Sequence, residues 1–209
     1  MRFSTIFFDL DDTLYPPSTG LWPILKQRMS DYMQLHMGIP AEEIGGLREK
    51  YFREYGTTLR GLQANHQIDV VDYLTYVHDV PLQDYLTPDP LQRQVIASLG
   101  TRNLIFTNAD GAHARRVLAA LDLEGLFEDI VDVNAMDPYC KPMPEAFALA
   151  MRTADESDPS RCVMIDDLPH TTHAARQLGM YGLLYGRSEP QPDADAVFSD
   201  WRILPGLLG

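Results

Sequence analysis

Four stretches of this chain place polar side chains just beyond an apolar run. Ile6-Phe7-Phe8 gives way to Asp9, Asp11 and Asp12, and Asn103-Leu104-Ile105-Phe106 to Thr107-Asn108. Cys162-Val163-Met164-Ile165 ends in Asp166-Asp167, and Lys141-Pro142 lies in the loop after Ile130-Val131-Asp132-Val133. A carboxylate has no place inside a buried strand, so each tip must emerge into water, a metal ion or both. If the runs are parallel strands, the tips share the edge at which open α/β sheets bind ligands. They then gather three or four carboxylates, a hydroxyl, an amide and an ammonium. Carboxylates that close together repel unless a cation sits among them. An all-oxygen set without His or Cys suits Mg²⁺, which keeps several waters and accepts a substrate phosphate. One carboxylate of such a set can attack phosphorus and form an acyl phosphate. A second, two residues along, can protonate the leaving oxygen and then deprotonate water. The rest is charge stabilisation by metal, lysine and hydroxyl.

The elements that must position these residues follow from periodicity. From Arg102 onward strands and helices alternate, which implies an α/β fold with a mainly parallel sheet and right-handed crossovers. Asp110 is a helix N-cap, with Ala114, Val117, Leu118 and Leu121 facing inward. Pro144 sits in the first turn of another helix, and a third runs from about His170 to Leu178. Tyr181 to Tyr185 and Ala196-Val197-Phe198 are the fifth and sixth strands. Roughly 90 residues separate the first two strands, where a crossover needs only about a dozen. The surplus reads as a helical cap. Its stripes are Leu21, Leu25, Met29, Tyr32 and Met33, then Ile44, Leu47, Tyr51 and Tyr55, weakened by Gly45-Gly46. Thr57 to Asn65 is a short helix or loop, and Asp69 caps a helix from Val70 to His78. The domain reading is residues 1–15 and 86–209 for the core and 16–85 for the cap. Pro88 and Pro90 open a core helix that ends near Leu99-Gly100.

The 209 residues carry 17 basic and 30 acidic groups, a net charge of -13. That balance argues against bulk binding to nucleic acid or an anionic membrane. An anionic substrate would need a local positive centre, which a metal and Lys141 would provide. No window approaches the ~18 apolar residues of a membrane span, and the opening apolar stretch breaks at Asp9, too early for a signal peptide. Cys140 and Cys162 read as reduced thiols of a cytoplasmic protein. Taken singly, each motif has a plainer reading: a solvated turn at Asp9–Asp12, a surface lysine, a turn at Thr107-Asn108, an ordinary strand end at Asp166-Asp167. A calcium loop fails on pattern, because Leu14 and Gly20 stand where an EF-hand needs Gly and Glu. Only the four together favour a site. His170 and His173 are read as facing solvent rather than as ligands. The aromatics Trp22, Tyr51, Tyr55, Tyr73 and Tyr76 are read as cap core, Tyr15 as lining the site entrance, and Arg60 as a substrate contact.

FDLDDT, FTN, KPMPEAF and MIDD, in this order and at this spacing, resemble the four motifs of the haloacid dehalogenase-like (HAD) superfamily of phosphatases. The resemblance implies a Rossmann-like parallel sheet with helices on both faces and a C1 cap, inserted after the first strand, that closes over the site. It implies Asp9 as nucleophile, Asp11 as general acid and base, and Thr107, Asn108 and Lys141 around the phosphate. Mg²⁺ would be held by Asp9, the Asp11 backbone carbonyl and Asp167, with Asp166 orienting its neighbours or acting through water. LYPPSTGLW, YGTTLRGL and VHD carry a narrower resemblance, to the pyrimidine 5′-nucleotidase branch. It implies a nucleoside monophosphate such as UMP or CMP as partner; the chain is separately expected to be a monomer or homodimer. Thr171 departs from the wider pattern, standing where many relatives carry Asn or Asp. Two rival readings stand beside this one. One is a phosphatase or phosphomutase for another small ester, such as a sugar phosphate or phosphoglycolate; the other is a non-catalytic regulator on the same fold. Dehalogenation is disfavoured, since Asp11 supplies an acid that carbon–halogen cleavage does not need.

Overall fold

The computed structural model describes residues 2–209. Among them lies a six-stranded sheet in the order β3-β2-β1-β4-β5-β6. Its strands are β1 (Thr5–Phe8), β2 (Arg102–Phe106), β3 (Asp129–Val131), β4 (Cys162–Asp166), β5 (Tyr181–Tyr185) and β6 (Ala196–Phe198). Every pairing is parallel. Strand β1 is central, with Phe8 level with Ile105 of β2 and Ile165 of β4. The strand order reverses direction between β1 and β4, the crevice where such sheets bind ligands. The tips of those two strands carry the aspartates.

Alternation along β1 explains why both faces are covered. Ile6 and Phe8 pack on one side with α5 (Pro90–Ser98) and α6 (Gly111–Ala120), together with Trp201 and Leu204 near the C-terminus. Phe7 packs on the other, with α7 (Pro144–Thr153) and α8 (Pro169–Gln177). The inserted segment holds α1 (Leu21–Leu35), α2 (Ala41–Tyr55), α3 (Thr58–Asn65) and α4 (Val70–His78) around a cluster of their own, built from Tyr32, Met33, Tyr51, Leu62, Tyr73 and Val77. Its two roots behave differently: Leu21 and Leu25 at one end, Val80 and Leu82 at the other, pack into the sheet's cluster. No helix among the described residues is long and apolar enough to cross a membrane.

One local expectation needed correction, the extent of β3, and two open ones come out as helices. Helix α2 runs unbroken through Gly45-Gly46, because Ile44 and Tyr51 are anchored in the cap cluster on either side. Burying those two side chains outweighs the ~1 kcal/mol that each glycine costs a helix. Residues 58–65 form a full helix, with the Thr57 hydroxyl accepting from the Arg60 N–H as N-cap. Strand β3 stops at Val131, and Val133 leaves the sheet to join the cap cluster.

Candidate active site

The chain leaves β1 in a tight turn. The Asp9 N–H still donates to Ile165 O at 2.9 Å, and the Thr13 and Leu14 N–H groups then fold back onto Leu10 O at 3.3 and 2.9 Å. Asp12 takes the left-handed conformation, φ 59°. This turn puts Asp9, Asp11 and Thr13 beside the tip of β4. Lys141 Nζ donates to Asp9 Oδ1 at 2.6 Å and to Asp166 Oδ2 at 2.7 Å. Thr13 Oγ1 donates to Asp9 Oδ2 at 3.1 Å and approaches Asp167 Oδ1 at 3.4 Å. Asp166 is fully buried, and its remaining oxygen accepts from the Leu168 N–H at 2.9 Å.

Like charges in a dry site work against one another. Burial, helped by Asp166 and Asp167, pushes the Asp9 carboxyl well above the usual carboxylate range, with Lys141 opposing. Burial, Asp166 and Asp12 push Asp167 up to about 7. Burial alone would lower the Lys141 ammonium, but Asp166 and Asp9 outweigh it and raise it. Asp12, which the sequence left without a role, is pushed up to about 6 by burial and by Asp11. Its Oδ1 is buried without a hydrogen-bond partner.

The donor chemistry fits a hard divalent cation. Asp9, Asp166 and Asp167 each offer an oxygen, and these atoms lie within 4.8 Å of one another. Three carboxylates against one ammonium leave an excess of negative charge that such an ion would neutralise.

Asp11 stands apart from this cluster. Tyr15 Oη donates to Asp11 Oδ1 at 2.6 Å, and His113 Nε2 lies 3.0 Å from the same oxygen. The His78 ring stacks on His113, centroids 4.1 Å apart, and His78 Nδ1 lies 2.5 Å from Asp110 Oδ2. Burial would raise the Asp11 carboxyl, but His113, Tyr15 and His78 hold it below its usual value.

The structure brings together Asp9, Lys141, Asp166 and Asp167, with Asp11 held beside them by Tyr15 and His113 and Thr107 buried at the tip of β2. Two expected contacts, Asn108 and Tyr15, are engaged within the protein, while the Thr107 hydroxyl is used only as an acceptor and keeps its O–H to donate. The Thr107 hydroxyl accepts from the Ala109 N–H at 3.0 Å, and the Asn108 amide clips the Lys141 backbone, accepting from its N–H at 2.9 Å and donating to its carbonyl at 3.1 Å. Asn108 thus reaches the site through the lysine it holds. Tyr15 does not line an entrance: it is 2% exposed, with its hydroxyl on Asp11.

The reading of Arg60 as a substrate contact is corrected most clearly. Its guanidinium is buried and donates to Tyr139 O at 3.1 and 2.7 Å, to Val133 O at 2.6 Å, to Gln63 Oε1 at 2.7 Å, and to Asp137. It ties α3 to the loop that carries Lys141. Close by, Gly56 is required by a positive φ of 83° and by space, since a Cβ there would lie 2.7 Å from Cys140 Sγ. His170 and His173 are exposed, as expected. Sequence reasoning passed over Thr13, His78 and His113. The available signal was position: Asp110 caps α6, and His113 sits three residues on, in the first turn after a site-bearing strand.

The comparisons with known proteins agree with this geometry. The family of haloacid dehalogenase-like hydrolases matches residues 3–179. Phosphate metabolism protein 8 of Saccharomyces cerevisiae is 34% identical over 205 residues, covering 91% of this chain; the chain spans 64% of that relative's length. Among solved structures, a HAD phosphatase from Thermococcus onnurineus superposes with a TM-score of 0.67 at 17% identity, covering 99% of this chain and 98% of the other. CbbY from Rhodobacter sphaeroides, in complex with phosphate, gives 0.67 at 18% identity, covering 95% of each. With its motifs gathered at one sheet edge and a match of that extent, the chain belongs to the haloacid dehalogenase-like hydrolase family.

Proposed function

We propose that this protein is a Mg²⁺-dependent phosphomonoester hydrolase that works through an aspartyl-phosphate on Asp9, with pyrimidine nucleoside 5′-monophosphates as its substrates. The observation that carries the reading is the pairing of Asp9 with Asp11. One carboxylate sits on the metal-type cluster beside Lys141, and the next but one is held clear of it by hydrogen bonds. A nucleophile and a proton carrier two residues apart on one turn could serve a single phosphorus.

In the first step an Asp9 oxygen attacks phosphorus, the P–O ester bond breaks, and the leaving oxygen takes a proton from Asp11. In the second, a water gives its proton to Asp11 and attacks the same phosphorus. The bond to Asp9 breaks, and inorganic phosphate leaves. Asp11 is poised as the base of the second step; a dianionic phosphate arriving beside it raises its proton affinity for the first. Lys141, anchored by Asp166 and by Asn108, offers positive charge to the transferring oxygens. Asp9 and Asp167 would hold the cation, with the Asp11 carbonyl, while Asp166 stays committed to Lys141 and Leu168. Once bound, the ion would supply the charge that keeps these carboxylates ionised and offsets that of the phosphate.

The nucleotide part rests on the LYPPSTGLW, YGTTLRGL and VHD segments. Several of their residues, Tyr15, Arg60 and His78 among them, join cap to core, so base selection would fall to other cap side chains. A panel of nucleoside monophosphates, sugar phosphates and phosphoglycolate, assayed for free phosphate with and without Mg²⁺, tests both parts. Highest kcat/KM on UMP or CMP is the expected result. Preference for a sugar phosphate would overturn the substrate, isomerised product would overturn hydrolysis, and no phosphate from any ester would overturn the activity.

A further inference from the structure

We propose that Tyr15 and His113 are positioning residues for Asp11: together they occupy its Oδ1, so that Oδ2 is the oxygen that carries the transferred proton. The inference rests on the reading of Asp11 as acid and base. Its warrant is geometric. A carboxylate oxygen has two lone-pair directions, and here two buried donors converge on one oxygen, Tyr15 Oη at 2.6 Å and His113 Nε2 at 3.0 Å. Both are buried, Tyr15 at 2% and His113 at 1% exposure, while the Asp11 side chain keeps 13%. The site therefore reaches Asp11 through its second oxygen.

The His113 ring tells which way that bond points. Its Nδ1 is buried and has no partner. A buried N–H there would forfeit a hydrogen bond, whereas a bare lone pair costs less. The ring thus carries a proton on Nε2 and donates it to Asp11. Two features hold it in that pose. Asp110 Oδ1 accepts from the His113 backbone N–H at 2.8 Å, and Asp110 Oδ2 holds His78, whose ring lies flat against His113 at 16°. Arg116 in turn donates to His78 O at 2.7 Å and Val80 O at 2.6 Å. Tyr15 is where the chain leaves β1 for the cap, and residues 78–80 are where it returns. Both roots of the insertion therefore meet at the proton carrier, one directly and one through the stacked pair. This assigns the roots a task in orienting Asp11 that is separate from joining two bodies of helices.

The test is a series of phosphate monoesters running from aryl esters with good leaving groups to alkyl esters with poor ones. It is applied to His113→Ala, His113→Gln, Tyr15→Phe and Asp11→Asn. A misoriented acid matters most where the leaving oxygen most needs its proton. His113→Ala and Tyr15→Phe should therefore lose about 10- to 100-fold in kcat/KM on the alkyl esters and little on the aryl ones. His113→Gln, which can still donate, should recover part of the loss. A uniform loss along the series, or none, would overturn the proposal. Tyr15→Phe removes only a hydroxyl, so it decides the question if His113→Ala does not fold. Asp11→Asn separates the two layers. If it too lacks leaving-group dependence, the acid role itself fails; if it shows that dependence and the others do not, positioning alone fails. A second readout needs no turnover: in spectra of ¹⁵N-histidine-labelled, metal-free protein, His113 should carry its proton on Nε2. A proton on Nδ1 would contradict the arrangement.

Discussion

Asp9 and Asp11 are two residues apart and belong to opposite halves of the site. Asp9 sits among strand tips, with Lys141, Asp166 and Asp167 around it, all of them core residues. Its carboxyl is pushed up by burial and by like charge. Asp11 touches no other carboxylate of that cluster through a hydrogen bond; Tyr15 and His113 hold it, and its carboxyl is kept low. One half gathers like charge that a bound cation would neutralise. The other is a hydrogen-bonded cradle assembled where the cap is rooted. The two carboxylates thus differ in their surroundings and not in their chemistry, which is identical.

Four experiments would break or sharpen that contrast. The largest effect is expected from Asp9→Asn, with turnover falling by at least about 10⁴-fold while the fold is kept; appreciable residual rate on any phosphate ester would end the assignment of Asp9. Asp11→Asn should cost about 10²- to 10⁴-fold with KM little changed. A rise in KM at unchanged kcat would move Asp11 from the chemistry to ground-state binding.

Arg60→Ala should lower stability by about 2–4 kcal/mol, because it removes a buried guanidinium with five contacts. Urea unfolding measures it. Unchanged stability with a raised KM would restore Arg60 as a substrate contact and weaken the view of it as a tie on the lysine loop.

The smallest effect concerns the cation. A saturating divalent ion should raise Tm at pH 8 by on the order of 5–10 °C. The gain should shrink at pH 5.5. Asp167, pushed up to about 7 in the fold, binds its proton more tightly folded than unfolded. The metal-free fold therefore gains stability as pH falls through 7, and the ion must displace that proton to bind. A Mg²⁺ increment independent of pH would contradict the description of the Asp9 half.

The strand tips were legible because the signal is local: an apolar run that breaks into charge announces both the strand and its exit. The caps at Asp69 and Asp110 were legible for the same reason, since each bonds an N–H three residues on. The His113–Asp11 contact joins residues 102 positions apart, and nothing local in either stretch announces the other. Arg60 was misread for a related reason. A distinctive cap segment shows that its residues matter, but residue type alone does not say whether they face a ligand or the other half of the protein. The glycines of α2 weaken the helical pattern without breaking the helix, because propensity is weaker than the packing on either side.

The most direct test of the account looks for the covalent adduct. The enzyme is mixed with an aryl phosphate, quenched during turnover and reduced with borohydride, which converts an acyl phosphate to an alcohol; peptide mass spectrometry then locates the change. The account predicts reduction at residue 9 in the active protein and none in Asp11→Asn quenched before substrate is added. Reduction at Asp11 or Asp167, or steady phosphate release with no adduct at any aspartate, would contradict it.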